Sequence, residues 1–358
     1  MINSDGDAED ADGSGVKPNA RQKRLQMADI ARLAGVSTAT VSRALNGSQL
    51  VNAETRMRVV DLARSLNYSI NVGAQNLRLG HNRTVAVVVP YERANRQRVS
   101  DPFFLSLLGS LADALTDHGY DMLVSRIDAA DLTVAAQHIN TGRAVGVILI
   151  GQWHQHEQLN ALASQKIPLV VWGAELPQQR YVTVGSDNVQ GGFLATDALL
   201  RRDRRRLCFL GDTSLPEVAQ RFAGYVRAHQ EAGVRYDPAL CIPTSFLAES
   251  GRAAVSGLIR HGAQIDGVFA CSDLLAMSAI SALLEAGISV PTDVAVIGYD
   301  DVELAAHFHP SISTVHQPIE EGGRSLVKAL LELLETGASR SCTLPASLVE
   351  RASTHFVS

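Results

Sequence analysis

Residues 27–46, MADIARLAGVSTATVSRALN, hold two apolar runs with helical spacing: Ile30, Leu33 and Ala34, then Val41, Ala44 and Leu45. Between them stands Gly35-Val36-Ser37. Gly35 suits the end of one helix, where a positive φ costs glycine little, and Ser37 suits the N-cap of the next, where its hydroxyl can accept a free backbone N–H. Two short helices joined by a tight glycine turn form a helix-turn-helix, which offers the first turns of its second helix to a DNA major groove. The face so offered carries Thr38, Ala39, Ser42 and Arg43, which are small, polar or cationic. A third helix is expected over Ala53 to Leu66, capped by Asn52, with Met57, Val60, Leu62, Ala63 and Leu66 closing a three-helix core.

Charge follows the same division. From Arg21 to Arg83 ten Lys/Arg face three Asp/Glu, a net of +7, while residues 1–20 carry one Lys against five acids. The chain's net charge of −5 therefore leaves −8 on everything after Arg83. A basic module on an acidic body binds phosphates without adhering wholesale to polyanions. The 358 residues exceed one compact domain. No apolar run reaches eighteen residues, so no membrane span is expected. The first twenty residues lack the basic start and apolar core of a secretory signal and read as a disordered acidic tail. Cys208, Cys241, Cys271 and Cys342 are dispersed, which favours buried, reduced thiols over a disulfide or zinc site.

From Thr84 onward short apolar strands alternate with amphipathic helices. Strands read at 85–89, 122–125, 145–150, 169–172, 181–184, 207–210, 267–270 and 295–299, with helices at 105–118, 189–201, 218–232 and 274–286 among them. Alternating β and α units argue for parallel sheets covered on both faces, and roughly 275 residues suffice for two such sheets.

The segment VSTATVSRALNGSQLVNAETRMRVVDLARSLNYSIN, residues 36–71, resembles the DNA-binding domain of the lactose-repressor (LacI/GalR) family closely. Further landmarks of the resemblance are Ser100-Asp101-Pro102-Phe103-Phe104, Gly185-Ser186-Asp187-Asn188, residues 268–273 (VFACSD) and residues 290–301 (VPTDVAVIGYDD). It runs from about residue 25 to the end. What it implies is an α/β protein with an N-terminal three-helix helix-turn-helix domain, then a periplasmic-binding-protein-like pair of α/β subdomains. The implied division is an acidic tail over 1–24, the DNA-binding domain over 25–68, a hinge over 69–83, and an effector-binding and dimerisation domain over 84–358. Within the last, subdomain one takes about 84–185 plus 319–343 and subdomain two about 187–316 plus 345–358.

The resemblance places DNA contacts at Ser37, Thr38, Ala39, Thr40, Ser42, Arg43, Asn46 and Tyr68. It also implies a hinge helix that forms on the operator and pushes a leucine into the minor groove, through Asn71, Ala74 and Leu77. The chain departs from the family at Ile70, usually proline, at Gly73, which costs a helix about 1 kcal/mol against alanine, and at Gln26, usually a threonine cap.

Ligands of parallel sheets bind beyond the carboxyl ends of the strands. Phe103 and Phe104 on the loop after the first strand, Trp153 and Trp172 at strand ends, Ser272, Asp273, Asp300 and Asp301 after theirs, and Arg221 opening a helix all qualify. Aromatic faces with a few carboxylates and an arginine suit a sugar, whose C–H faces stack while its hydroxyls take charge-assisted hydrogen bonds. The resemblance carries effector contacts onto Phe103, Phe104, Arg221, Phe246, Ser272 and Asp300. Where the family often has an aspartate after the strand following Ile167-Pro168, this chain has Gly173 beside Trp172, which implies a larger or differently oriented ligand such as a disaccharide or glucoside.

Other tempting features read as ordinary structure. Residues 201–206 (RRDRRR) fit a solvated turn, Gly191-Gly192 sits within a helix pattern with no phosphate-loop Lys-Ser/Thr, and the histidines at 154, 156, 307, 309 and 316 lack zinc-ligand spacing. No cofactor or metal is expected. Three function classes are thus weighed: a ligand-responsive repressor, an extracytoplasmic solute receptor, and a nucleotide-dependent enzyme. The helix-turn-helix and the N-terminal composition oppose the second. The first strand, running into PYERANRQR with no Gly-x-Gly, opposes the third. The expectation is a cytoplasmic, sequence-specific repressor of carbohydrate-use genes, a homodimer on pseudo-palindromic double-stranded operator DNA, answering to a small sugar. A purine, nucleoside or phosphorylated metabolite is the alternative effector. The short stretch after Leu348-Val349-Glu350-Arg351 holds no heptads, which favours a dimer over a zipper-linked tetramer.

Overall fold

The computed structural model describes residues 26–45, 48, 50–66, 82–92 and 98–355. Asn46, Tyr68, Asn71, Ala74, Leu77, the acidic tail, Ile70, Gly73 and nearly all of the hinge lie outside the described residues. The described residues fall into two units, divided between residues 79 and 80.

The first unit contains α1 (Met27–Ala34), α2 (Thr38–Leu45) and α3 (Ala53–Ser65). Gly35 ends α1 at φ 65°. The Ser37 hydroxyl accepts the Thr40 N–H at 3.1 Å, and Asn52 caps α3 by accepting the Thr55 N–H at 2.7 Å. At Gln26 the backbone N–H donates to the Asp29 carboxylate at 2.9 Å. Ile30, Ala31, Ala34, Val41, Ala44, Val51 and Val59 make the core. Two expected core residues are exposed: Met57 at 65% and Leu33 at 55%. Two steps along a helix turn 200°, so with Val59 and Ala63 facing inward Met57 must face out. On α1 the buried arc spans Ile30, Ala34 and Ala31, and Leu33 falls off its other edge.

The second unit holds two six-stranded sheets. In chain order it runs β1 (Thr84–Tyr91), α4 (Pro102–Asp117), β2 (Asp121–Asp128), α5 (Gln137–Asn140), β3 (Gly146–Ile150), α6 (His156–Ser164), β4 (Leu169–Trp172), β5 (Val182–Ser186), α7 (Asn188–Leu200), β6 (Leu207–Leu210), α8 (Pro216–Glu231) and β7 (Cys241–Ile242). It continues through α9 (Ala248–Arg260), β8 (Gly267–Ala270), α10 (Asp273–Glu285), β9 (Ala295–Asp300), α11 (Glu303–His307), β10 (Ser313–His316), α12 (Ile319–Thr336), β11 (Cys342–Leu344) and β12 (Ser347–Val349). The strand orders are β11-β5-β4-β3-β1-β2 and β12-β10-β9-β8-β6-β7.

Each sheet is apolar on both faces, as parallel sheets must be when helices cover them. In β1, Val85, Val87 and Val89 pack with α4 and α12, while Ala86 and Val88 enter a separate cluster with Leu132, Leu159 and Tyr181. The second sheet divides likewise, Cys208 and Leu210 to one side, Leu207 and Phe209 to the other. Fully burying each valine or leucine contributes about 1.5–3 kcal/mol. One pairing departs from the expected parallel sheets: β12 runs antiparallel to β10. β11 runs parallel to β5 and so ends at the cleft, and only Pro345 and Ala346 lead on to β12, which must therefore enter the second sheet from its cleft end and run against β10. The chain crosses between the sheets three times, after β5, after β10 and after β11. The thiols also differ from expectation in two cases: all four cysteines are free, but Cys241 is half-buried and Cys342 exposed, each on a short strand at the edge of its sheet.

Candidate effector cleft and DNA-reading helix

Between the two sheets, at the carboxyl ends of their strands, lies a cleft open to solvent. Eight of the ten residues singled out from the sequence line it: Phe103, Phe104, Trp153, Trp172, Arg221, Phe246, Ser272 and Asp300, whereas Asp273 is turned to the Val302 N–H and the Thr314 hydroxyl and Asp301 to His316 and Arg351. Two of them sit differently from expectation. Phe103 and Phe104 belong to the first turn of α4 rather than a loop, because Asp101 caps that helix, accepting the Phe103 N–H at 3.0 Å, and Pro102 starts it. Arg221 lies in the second turn of α8, which opens at Pro216.

Arg221 is held by its surroundings. Its Nε donates to Asn188 Oδ1 at 2.8 Å, its Nη1 donates to the Cys271 carbonyl at 2.5 Å, and its guanidinium lies 3.7 Å above the Tyr299 ring. The close approach of α7 and α8 makes this possible. A Cβ at Gly192 would stand 2.0 Å from the Arg221 carbonyl oxygen, and one at Gly224 would stand 2.1 Å from that of Val189. Gly191-Gly192 thus serves packing.

Asp300 ends β9 at φ 112°, buried, with Gln317 Nε2 donating to its Oδ1 at 2.7 Å. Burial pushes its pKa well above the usual carboxylate range, and Arg221 only partly offsets this. Gln317 in turn accepts from Ser186 Oγ at 2.5 Å, so a single hydrogen-bonded chain runs from the first sheet through a crossover to the acid in the second. Ser272 Oγ accepts the Leu275 N–H at 3.2 Å, capping α10.

The aromatic side is unequal. Trp172 is 5% exposed, packed 6.1 Å from Phe103 and against Gly322, whose Cβ would lie 2.3 Å from its ring. Trp153, half-buried on the turn after β3, presents the more open ring. That turn uses left-handed backbone at Gly151 (φ 90°) and at Trp153 itself (φ 52°). It sends Gln152 inward, where Nε2 donates to the Ala174 carbonyl and to the Tyr181 hydroxyl, and Oε1 accepts the Ala174 N–H. A Cβ at Gly173 would meet Gln152 Oε1 at 2.7 Å. The space beside Gly173 is therefore filled by the Gln152 amide.

Three polar residues of the lining went unread in the sequence: Asp101, Glu217 and Gln317. Asp101-Pro102 is a helix-start signal that could have revealed the first, and Glu217 stands four residues before Arg221, a helical pair spacing. Nothing local marks Gln317.

In the first unit, Thr38, Ala39 and Arg43 are exposed on α2, while Thr40 and Ser42 are half-buried. Thr40 Oγ1 and Ser37 Oγ lie 2.9 Å apart, so both hydroxyls are engaged in the cap. Among the described residues no group of three or more His, Cys, Asp or Glu could hold a metal, and no helix is long and apolar enough to cross a membrane. His156 bonds the Tyr181 hydroxyl and His316 bonds Asp301. The arginine-rich turn is tied down locally, Arg202 to Glu350 and Arg204 to the Pro291 carbonyl.

Residues 26–71 match the bacterial regulatory proteins of the lacI family, and residues 196–354 match the periplasmic binding protein-like domain. The HTH-type transcriptional regulator CelR of Thermobifida fusca is 33% identical over 338 residues, covering 92% of this chain and 96% of that protein.

The chain belongs to the LacI family of bacterial regulatory proteins.

This is a family of DNA-binding regulators, not of enzymes. A solved transcriptional regulator CelR–cellobiose complex is similar with a TM-score of 0.69 and 30% identity, covering 92% of this chain and all of that one. The lac repressor dimer bound to operator and the anti-inducer ONPF shares the LacI-family fold, with a TM-score of 0.82 at 23% identity over 93% of this chain and 99% of that one.

Proposed function

We propose that this protein represses carbohydrate-use genes in the cytoplasm, binding a pseudo-palindromic operator as a homodimer, and that a neutral sugar in the cleft controls its hold on DNA. The observation that carries this reading is the make-up of the cleft. Phe103, Phe104, Trp153 and Phe246 supply apolar faces, while Asp300, Arg221 and Ser272 converge on them with hydrogen-bonding groups. This is how a protein grips a molecule with C–H faces and a rim of hydroxyls. The CelR–cellobiose complex supports a disaccharide as the occupant. On DNA, Arg43 with Thr38 and Ala39 reads base edges, and Ser37, Thr40, Ser42 and Asn46 support that helix on the groove. Tyr68, Asn71, Ala74 and Leu77 carry the contacts of the hinge. No cofactor enters the mechanism.

Ligand and DNA are linked through the crossovers. A ligand that bridges the sheets favours one relation between the subdomains, and it shifts operator affinity only by its preference for that state. The test is a gel shift on the protein's own upstream DNA, repeated with cellobiose, maltose, lactose and xylobiose. The chain's only two tryptophans, Trp153 and Trp172, both line the cleft, so intrinsic fluorescence reads occupancy directly. One of these sugars should change both signals at matching concentrations. If purines or phosphorylated metabolites alone do so, the cleft stands and the sugar assignment falls.

A further inference from the structure

The turn after β3 holds a side chain on backbone that does not favour it. Trp153 stands at φ 52°, in the left-handed region, two residues after Gly151 at φ 90°. A residue other than glycine stays there only where its surroundings over-determine it, and such residues gather at ligand sites. The Trp153 ring lies back over the turn, since a Cβ at Gly151 would stand 3.3 Å from its Nε1. What fixes the turn is the residue between them. Gln152 is fully buried, and its amide engages both hydrogens and its oxygen. Nε2 donates to the Ala174 carbonyl at 2.6 Å and to the Tyr181 hydroxyl at 2.8 Å, and Oε1 accepts the Ala174 N–H at 2.9 Å. The Gln155 N–H closes the turn by donating to the Gln152 carbonyl at 3.2 Å.

The Tyr181 hydroxyl is held in its turn by a chain whose proton positions follow from backbone partners. Asn160 Oδ1 accepts the Arg180 N–H at 2.8 Å and its Nδ2 donates to the Gln178 carbonyl at 3.4 Å, which fixes the way that amide faces. Nδ2 therefore also donates to His156 Nε2 at 3.2 Å. The histidine proton then sits on Nδ1, which donates to Tyr181 Oη at 2.9 Å. The two rings meet edge-on, with centroids 5.6 Å apart. Gln152, Asn160 and Tyr181 are all buried, so breaking one link leaves a polar group unsatisfied.

We propose that Gln152 is a positioning residue of the cleft: its amide pins the turn that presents the Trp153 ring, and Tyr181, His156 and Asn160 keep that amide in place. The consequence for ligand binding rests on the sugar reading above; the consequence for Trp153 does not. The arrangement also accounts for Gly173. A Cβ there would stand 2.7 Å from Gln152 Oε1, and one at Gly185 would stand 2.2 Å from the Gly173 carbonyl oxygen, so the corner has no room for a side chain at either position. Where an aspartate would offer a ligand two oxygens, this chain has an amide whose oxygen and both hydrogens already have protein partners. Subdomain one contributes a fixed aromatic face at that corner, and accepting the ligand's hydroxyls falls to Asp300 across the cleft.

The test labels the full chain with 5-fluorotryptophan, whose two fluorine resonances, one for each tryptophan, are assigned with Trp153→Phe. In Gln152→Ala, without ligand, the Trp153 resonance should shift and broaden while that of Trp172 holds its place. Tyr181→Phe, a milder change that removes one hydroxyl, should move the same resonance by less. Cellobiose affinity, read by intrinsic fluorescence, should fall about tenfold in Gln152→Ala, which is what one aromatic stacking face is worth, with operator binding unaltered. A Trp153 resonance unmoved in both variants, or a Trp172 resonance displaced as far as that of Trp153, overturns the anchor. Unchanged cellobiose affinity with a displaced Trp153 overturns its part in binding. If the parent binds none of the four disaccharides while Gln152→Ala still displaces Trp153, the anchor holds and the sugar assignment is what fails.

Discussion

Replacing Arg221 by lysine keeps the charge and removes the fork, and the structure says what that costs. The guanidinium makes two hydrogen bonds, to Asn188 Oδ1 and to the Cys271 carbonyl, and stacks on Tyr299 at 3.7 Å. A lysine ammonium can keep one of those bonds but has no second nitrogen and no flat face. One lost charge-assisted bond is worth about 1.5–3 kcal/mol, and a desolvated cation–π stack adds about 1–2 kcal/mol. Asn188 Oδ1 would be left with only the Tyr299 hydroxyl at 3.4 Å. The helices cannot shift to compensate, because Gly192 and Gly224 already bring their backbones into contact. A destabilisation of about 3 kcal/mol follows, which in a unit of this size lowers Tm by roughly 6–12 °C. Calorimetry of the full chain, resolving the effector unit's transition, measures it. A drop below about 2 °C would show that Arg221 is not the structural keystone described, whatever it does for the ligand.

Arg43→Ala should weaken operator binding by about 1–3 kcal/mol and relax discrimination at one base pair per half-site, and an equal loss on random DNA in the same titration would make it a phosphate contact only. Asp300→Ala should reduce sugar affinity tenfold or more, as expected when a desolvated acceptor worth about 1–3 kcal/mol is removed, with operator binding intact. A normal fluorescence response to sugar in that variant would place the pocket elsewhere. Asp273, buried beneath Val302 and Thr314, has its pKa pushed up to about 7, chiefly by burial. The folded chain keeps this proton where an unfolded aspartate, near pKa ~3.9, has released it, so stability falls as pH rises from about 4 to 7. Asp273→Asn should flatten that fall by up to about 1.4 kcal/mol per pH unit, read from urea midpoints, and an unchanged slope would remove Asp273 as its source.

The head was legible because its signals are local. Gly35, Ser37 and Asn52 each act within three or four residues, and each turns its helix end as read. The errors there, Met57 and Leu33, come from counting apolar residues without fixing the phase of the helix. In the second unit, short strands of continuous apolar residues announced themselves: 169–172, 207–210 and 267–270 are observed as expected. The strands at 313–316, 342–344 and 347–349 carry serine, threonine and histidine, and their pairing partners lie far away in sequence, so no local pattern marked them. The same divide runs through the cleft. Aromatics at strand ends follow from a rule about sheets, whereas Gln317 owes its place to crossovers that join residues 131 positions apart.

The three crossings also govern the order in which the molecule can be made. Subdomain one begins at β1, yet its edge strand β11 and the helix α12, whose Gly322 seats the Trp172 ring, come after nearly all of subdomain two. A chain emerging from the ribosome therefore carries an unfinished first sheet, apolar on the face α12 will cover, through most of its synthesis. A product truncated before residue 319 would keep every strand of that sheet except its last and still expose the floor of the cleft. Such fragments should engage holding chaperones and resist recovery as soluble half-proteins, even though each sheet, drawn alone, looks like a domain.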